Sequence, residues 1–137
     1  MLLEGNESEA ARFDVVENKW QEIAPIQEAR FYAFGVVANN KIFIAGGVGK
    51  NSKQLKTCEV YNMFADEWQS IASLTVPRNQ GHMLLVSETL YVLGGCSQGL
   101  FTLLVECYDH EKDQWNEKTL LPAITQGLTF LCTRRLL

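Results

Sequence analysis

The sequence contains the stretch Lys41-Ile42-Phe43-Ile44-Ala45-Gly46-Gly47, an apolar run closed by a glycine pair. The same pattern returns 48 residues later as Thr89-Leu90-Tyr91-Val92-Leu93-Gly94-Gly95. Short runs rich in Ile, Val, Phe and Tyr that end in glycine are typical of β-strands. Their return at a fixed period predicts a repeat protein, in which each unit packs against its neighbours.

The aromatic residues give the same register independently of the glycines. Three tryptophans recur at intervals of 48 and 47 residues, and each follows another aromatic residue by seven positions. The pairs are Phe13 and Trp20, Tyr61 and Trp68, and Tyr108 and Trp115. Because one aromatic side chain buries on the order of 150–250 Å², we expect Tyr61, Trp68, Tyr108 and Trp115 to pack the fold together.

One period holds four strand-like segments and no helical pattern. The predicted strands are Phe34 to Ala38, Lys41 to Ala45, Thr57 to Tyr61 and Glu67 to Ile71. The first two are joined by the tight turn Asn39-Asn40, so they form a hairpin. The sequence therefore predicts an all-β fold made of four-stranded antiparallel units. Such units bury both faces only by stacking, and radial stacking of four-stranded sheets gives a β-propeller.

The ends of the chain hold incomplete units. We expect units over about residues 1–24, 25–72 and 73–121, with a terminal strand over 122–137. The first unit lacks its glycine pair and two strands, and keeps strands near Glu9 to Phe13 and Lys19 to Ile23. The last unit extends only to a predicted strand at Gly127 to Thr133. The fold prediction is thus a propeller fragment of about three blades.

These residues resemble the Kelch repeat, with a glycine pair, then a Tyr, then a Trp seven later, and Pro77-Arg78 before the next first strand. The text Cys58-Glu59-Val60-Tyr61-Asn62 is also similar to the Kelch-like subfamily of BTB-containing proteins. The resemblance implies a protein-binding module that holds a substrate for a cullin-RING ubiquitin ligase, with the cullin engaged by other domains. The alternative it leaves open is an actin-associated cytoskeletal role.

The resemblance also bears on size. Kelch-like propellers usually have six blades, or roughly 290 residues at this period, whereas the chain has 137. We therefore expect a fragment, a truncated isoform or half of an assembly. Kelch propellers often close by pairing a terminal strand into a blade begun at the other end. Because about three blades expose two end faces, self-association of the chain is predicted.

The resemblance places partner binding on one rim of the propeller, in the loops Val48 to Lys56 and Ser97 to Leu103 and just before the first strands. The predicted partner contacts are Tyr32, Asn51, Ser52, Gln80, Gln98, Phe101 and Gln126. Phe101 is either exposed or packed down, and the sequence leaves that open.

Other residues recur with the repeat, and we interpret them as structural. Gly46, Gly47, Gly94 and Gly95 precede no helix and no Lys-Ser/Thr, so they are not a phosphate loop. Arg30 and Arg78 lie 48 residues apart, and Glu59 and Glu106 each lie two residues before a repeat tyrosine. We expect buried Arg–Glu pairs, with ligand binding by the arginines as the alternative.

The composition excludes several functions. A net charge of −4 without a basic stripe predicts no nucleic-acid partner, and no apolar run is long enough for a bilayer. The Kelch enzyme galactose oxidase holds copper through converging side chains, but His82 and His110 lie at different places in their units, so we expect no such site. We predict no catalytic residue, metal or cofactor. Cys58, Cys96, Cys107 and Cys132 show no paired spacing, which favours reduced thiols in a cytoplasmic protein.

Overall fold

The computed structural model of the chain describes residues 8–121, and these residues are almost entirely β-structure. The strands are β1 Ala10–Asp14, β2 Lys19–Ile23, β3 Phe34–Ala38, β4 Lys41–Ala45, β5 Cys58–Asn62, β6 Glu67–Ile71, β7 His82–Val86, β8 Thr89–Leu93, β9 Cys96–Ser97, β10 Leu100–Phe101, β11 Leu104–Asp109 and β12 Gln114–Leu120. Within the described range the one helical element is a 3-10 turn at Lys50–Ser52. The predicted strand at Gly127 to Thr133, and Gln126 and Cys132, lie outside this range.

The strands form three successive antiparallel units, which we call blades 1, 2 and 3. Blade 1 is the hairpin β1–β2, blade 2 is the sheet β3-β4-β5-β6, and blade 3 is the sheet β7-β8-β11-β12. Strands β9 and β10 form a separate small hairpin that extends from blade 3. The architecture confirms the predicted propeller fragment of four-stranded blades. The unit boundaries at residues 24, 72 and 121 stay predictions.

Two predicted strands begin one residue too early. The third strand of blade 2 is Cys58–Asn62 instead of Thr57 to Tyr61, because the Thr57 carbonyl accepts hydrogen bonds from the Gly46 N–H (3.1 Å) and the Arg30 guanidinium (2.9 Å). Thr57 therefore belongs to the glycine turn and not to the ladder. In the same way the first described strand is Ala10–Asp14 and not Glu9 to Phe13.

The turns explain why particular residues recur. Asn39 and Asn40 have φ of 49° and 58°, which asparagine tolerates well in a two-residue hairpin turn. At Gly46, with φ of 60°, a Cβ atom would lie 2.2 Å from the Arg78 carbonyl oxygen. Only glycine fits there, because the backbone that leads into blade 3 crosses directly over it.

The main core lies between blades 2 and 3, where β3 faces β7. Phe34 and Ala45 from blade 2 pack with Met83 and Val92 from blade 3, and Leu74 from the intervening linker completes the cluster. Full burial of a side chain such as that of Leu74 contributes about 1.5–3 kcal/mol. The repeat aromatics form cross-strand pairs, with ring centroids of Tyr61 and Trp68 5.0 Å apart.

Candidate protein-interaction surface

Each junction between blades carries a buried ion pair. The Arg30 Nη2 atom lies 2.6 Å from Glu59 Oε1, and Arg78 makes the equivalent pair with Glu106, with all four side chains almost completely buried. The predicted Arg–Glu pairing is confirmed. The alternative of ligand binding by these arginines is wrong, because neither guanidinium reaches the surface.

The ion pairs also hold backbone groups that would otherwise be unpaired. Arg30 donates to the Gly46 carbonyl at 2.9 Å, while the Glu59 carboxylate accepts the Gln27 N–H (2.7 Å) from the linker between blades 1 and 2. At the next junction the Glu106 carboxylate accepts the Thr75 N–H at 2.7 Å. Desolvation by burial lowers the pKa of Arg78, and the Glu106 carboxylate opposes that change.

Above these ion pairs, blades 2 and 3 present a common surface, which we call the loop rim. It consists of residues 31–33 and 79–81, which lead into β3 and β7, and of loops 48–56 and 96–103. In blade 2, Phe31 and Val48 exchange backbone hydrogen bonds of 2.8 and 2.7 Å, and in blade 3 Asn79 and Cys96 exchange bonds of 3.0 and 2.9 Å. The same backbone pairing therefore positions both loops.

All six described partner candidates lie on the loop rim. Tyr32 is 66% exposed, and its carbonyl accepts the Gln80 N–H at 3.1 Å, which joins the two lead-in segments. Phe101 is 46% exposed, so it is only partly packed down. Asn51, Ser52, Gln80 and Gln98 are also exposed, and Gln126 lies outside the described residues. Their binding role stays a prediction.

Five of these six residues have left-handed backbone conformations. Positive φ values between 52° and 58° occur at Tyr32, Asn51, Ser52, Gln80 and Gln98. At the opposite ends of the blades, most such residues are Asn or Asp in tight turns, where this conformation is favourable. Tyr, Gln and Ser gain no such advantage, and unfavourable backbone conformations are concentrated at binding sites. The loop rim therefore carries backbone strain.

Gln54 is a rim residue that the sequence did not single out. Its side-chain Nε2 donates to the Cys96 carbonyl at 3.1 Å, and its Oε1 accepts the Gln98 N–H at 2.5 Å. One amide of blade 2 thus satisfies two backbone groups of the β9–β10 hairpin of blade 3. A glutamine in a polar loop has no local signature that would reveal this contact.

A groove of about 1210 Å³ runs beside blade 2 and is lined by Phe31, Tyr32 and Lys50, among others. At the junction of blades 2 and 3 the equivalent space is filled by the loop of the preceding blade, where Gly47 N–H donates to the Arg78 carbonyl (2.8 Å) and Leu55 is buried. We therefore describe the recognition surface from the contacts between blades 2 and 3, and not from the open groove beside blade 2.

The two histidines of the chain lie far apart in the fold. His82 begins β7 and His110 lies in the β11–β12 turn, at opposite ends of blade 3. Across residues 8–121 no group of three His, Cys, Asp or Glu residues could hold a metal ion.

Cys58, Cys96 and Cys107 are free thiols, and burial raises the pKa of Cys58 to about 12. No helix in the described part of the chain is long and apolar enough to cross a membrane.

Comparison with known proteins agrees with this architecture. The Kelch motif matches residues 29–75 and 77–119. The chain is 36% identical over 104 residues to the F-box/kelch-repeat protein At2g44130 of Arabidopsis thaliana, covering 72% of the chain and 25% of that protein. It is 29% identical over 112 residues to Kelch-like protein 35 of Mus musculus, covering 81% of the chain but 19% of that protein. The structure of YjhT superposes with a TM-score of 0.71 at 17% identity, over 80% of this chain and 44% of that one.

The chain belongs to the Kelch-repeat family. It spans a quarter or less of the length of these two curated relatives. Kelch repeats generally serve as modules that bind other proteins, and the chain is a protein-interaction module of this kind.

Proposed function

We propose that the loop rim recognises the protein substrate of a cullin-RING ubiquitin ligase, and that the chain works in the cytoplasm without catalytic activity. One observation carries this proposal. Exposed residues with unfavourable, left-handed backbone conformations are concentrated on one rim, and Tyr32 and Gln80 are the main examples. The likeness to Kelch-like proteins supports the ligase part. The ligase itself would be reached only through domains outside these repeats.

The test is capture of cellular proteins by the immobilised chain, compared with the variant Tyr32→Ala/Gln80→Ala/Phe101→Ala. A control variant, Phe64→Ala/Lys112→Ala, changes exposed residues in the hairpin turns at the far ends of the blades. We expect the rim variant, and not the control, to lose specific partners while folding normally. Those partners should accumulate in cells when cullin-RING ligases are inhibited.

Two results would contradict the proposal. Equal capture by the rim variant and the unchanged chain would move recognition away from the loop rim. Co-sedimentation with actin filaments, without accumulation of any captured protein on ligase inhibition, would favour the cytoskeletal role.

A further inference from the structure

We propose that the loop rim binds an extended peptide segment in which an acidic residue lies within a few positions of a bulky apolar residue. This inference rests on the proposed function, because it gives the chemistry of the partner that the same rim would hold. It comes from the different character of the two neighbouring loops.

The loop of blade 2 is basic. Residues 47–58 include Lys50, Lys53 and Lys56 and no acidic residue, although the whole chain carries a net charge of −4. All three lysines are exposed, and within residues 8–121 none of them takes part in an ion pair. The loop therefore presents unneutralised positive charge, which favours a partner that carries a carboxylate.

The loop of blade 3 is apolar at its tip. The segment 96–104 contains no charged residue. The turn at Gln98 and Gly99 presents Leu100, which is 75% exposed, beside the half-exposed Phe101. Exposed large apolar side chains next to polar groups are typical of protein contact sites, where they anchor an apolar side chain of the partner.

The Gln54 amide joins the basic loop of blade 2 to the apolar loop of blade 3. Lys53 precedes Gln54 in the chain, and Leu100 is two residues beyond Gln98, whose N–H bonds to Gln54. A peptide advances roughly 3.5 Å per residue when extended, so a segment of about five residues reaches both tips. An anionic membrane surface would also match lysines beside an apolar tip. A peptide is favoured because the rim also exposes amide and hydroxyl groups on Asn51, Ser52 and Gln80, which suit peptide hydrogen bonding.

The experiment is selection of a random-peptide phage library on the immobilised chain, followed by affinity measurements with synthetic peptides. We expect the selected peptides to carry Asp or Glu near Leu, Ile, Phe or Trp. Changing that acid to its amide should weaken binding by up to about fivefold, and Lys50→Glu/Lys53→Glu, which replaces two attractions by repulsion, should weaken it by roughly tenfold. The matched variant Lys41→Glu/Lys118→Glu reverses two exposed lysines outside the loop rim and should keep the affinity.

Other outcomes separate this inference from the proposed function. Peptides that lose binding to the variant Tyr32→Ala/Gln80→Ala/Phe101→Ala but show no acidic preference would overturn the inference and leave rim recognition standing. If no selected peptide depends on the rim, both fail. Binding to vesicles of phosphatidylcholine and phosphatidylserine that is lost in Lys50→Glu/Lys53→Glu, without peptide enrichment, would assign the basic loop to a membrane surface and overturn the inference.

Discussion

Trp68 and Trp115 each make both a packing contact and a hydrogen bond at a junction between blades. Trp68 packs against Tyr61, and its indole N–H donates to the Ala24 carbonyl in the preceding linker at 2.7 Å. Trp115 repeats this with Ala72 at 2.9 Å. Loss of either side chain therefore removes buried apolar area and leaves a linker carbonyl without its partner.

We expect Trp68→Ala to lower the free energy of unfolding by about 3–5 kcal/mol. Trp20 occupies the same repeat position in blade 1 but is 70% exposed, against 8% for Trp68, so Trp20→Ala should cost less than about 1 kcal/mol. Urea denaturation of both variants measures the difference. Similar losses would mean that Trp20 is buried in solution.

The ion pair beneath the rim gives a second residue-scale prediction. Glu106→Ala leaves the Arg78 guanidinium buried without its counter-charge, which should cost about 3–5 kcal/mol. The variant Arg78→Met/Glu106→Leu removes both charges but should remain destabilised, because the Thr75 N–H and the Gly94 carbonyl lose their partners at about 1–3 kcal/mol each. Recovery of the original stability in the double variant would show that packing alone can replace the pair.

At the scale of elements, the hairpin turns are tied to the linkers. Asp66 in the β5–β6 turn accepts the Ala24 N–H (2.9 Å) and the Tyr61 hydroxyl (2.7 Å). Asp113 in the β11–β12 turn accepts the Ala72 N–H (2.8 Å) and the Tyr108 hydroxyl (2.7 Å). In both aspartates the backbone hydrogen bond is the main cause that lowers the pKa, followed by the tyrosine hydroxyl.

A carboxyl group whose pKa is lower in the folded state stabilises the fold at neutral pH, and this contribution is lost at low pH. The contribution of Asp113 is present above its ordinary pKa of 3.8, and it is lost as the pH falls below that value through the folded-state pKa. We therefore expect the melting temperature to fall below about pH 4 and to fall less steeply in Asp113→Asn. Glu111→Gln is the control, since Glu111 is exposed in the same turn and is not bound to the linker. Identical acid profiles for Asp113→Asn and the unchanged chain would contradict the assignment.

Local chemistry explains what could be predicted from the sequence. The glycine pairs, the aromatic spacing and Asn39-Asn40 predicted the strands of blades 1 and 2 to within one residue, because each of these signals acts on the residues next to it in the chain. The β9–β10 hairpin was missed because Gln98-Gly99 lacks the Asn or Asp that usually precedes glycine in such turns. The Gln54 contact joins residues 42 and 44 positions apart on different blades, and no pattern within one repeat encodes it.

At the scale of the whole molecule, the two sides of blade 2 differ. The side towards blade 3 is covered, whereas on the other side Tyr61 and Trp68 are buried but Val37 is largely exposed, as is Trp20 in blade 1. Strand β1 pairs only with β2, which leaves its other backbone edge unpaired within the described residues. A face that is partly open and apolar, beside a free strand edge, favours association.

We therefore expect the chain to self-associate at micromolar concentration, as measured by sedimentation velocity. Val37→Asp should shift the distribution towards monomer by placing a charge on the open face. Phe64→Asp is the control, because Phe64 is also apolar and exposed but lies in the β5–β6 turn. A monomer at every concentration would mean that this face is covered within one chain.

The hydrogen bond from Trp68 to the Ala24 carbonyl also has a consequence for the order of events on the ribosome. The donor is synthesised 44 residues after the acceptor, and Glu59 follows its linker partner Gln27 by 32 residues. At a translation rate of about 5–20 residues per second, Trp68 is synthesised roughly 2 to 9 s after the linker residue whose carbonyl it binds. During that interval the nascent blade has its own strands but no attachment to the next, so each junction closes only when the following blade has been translated.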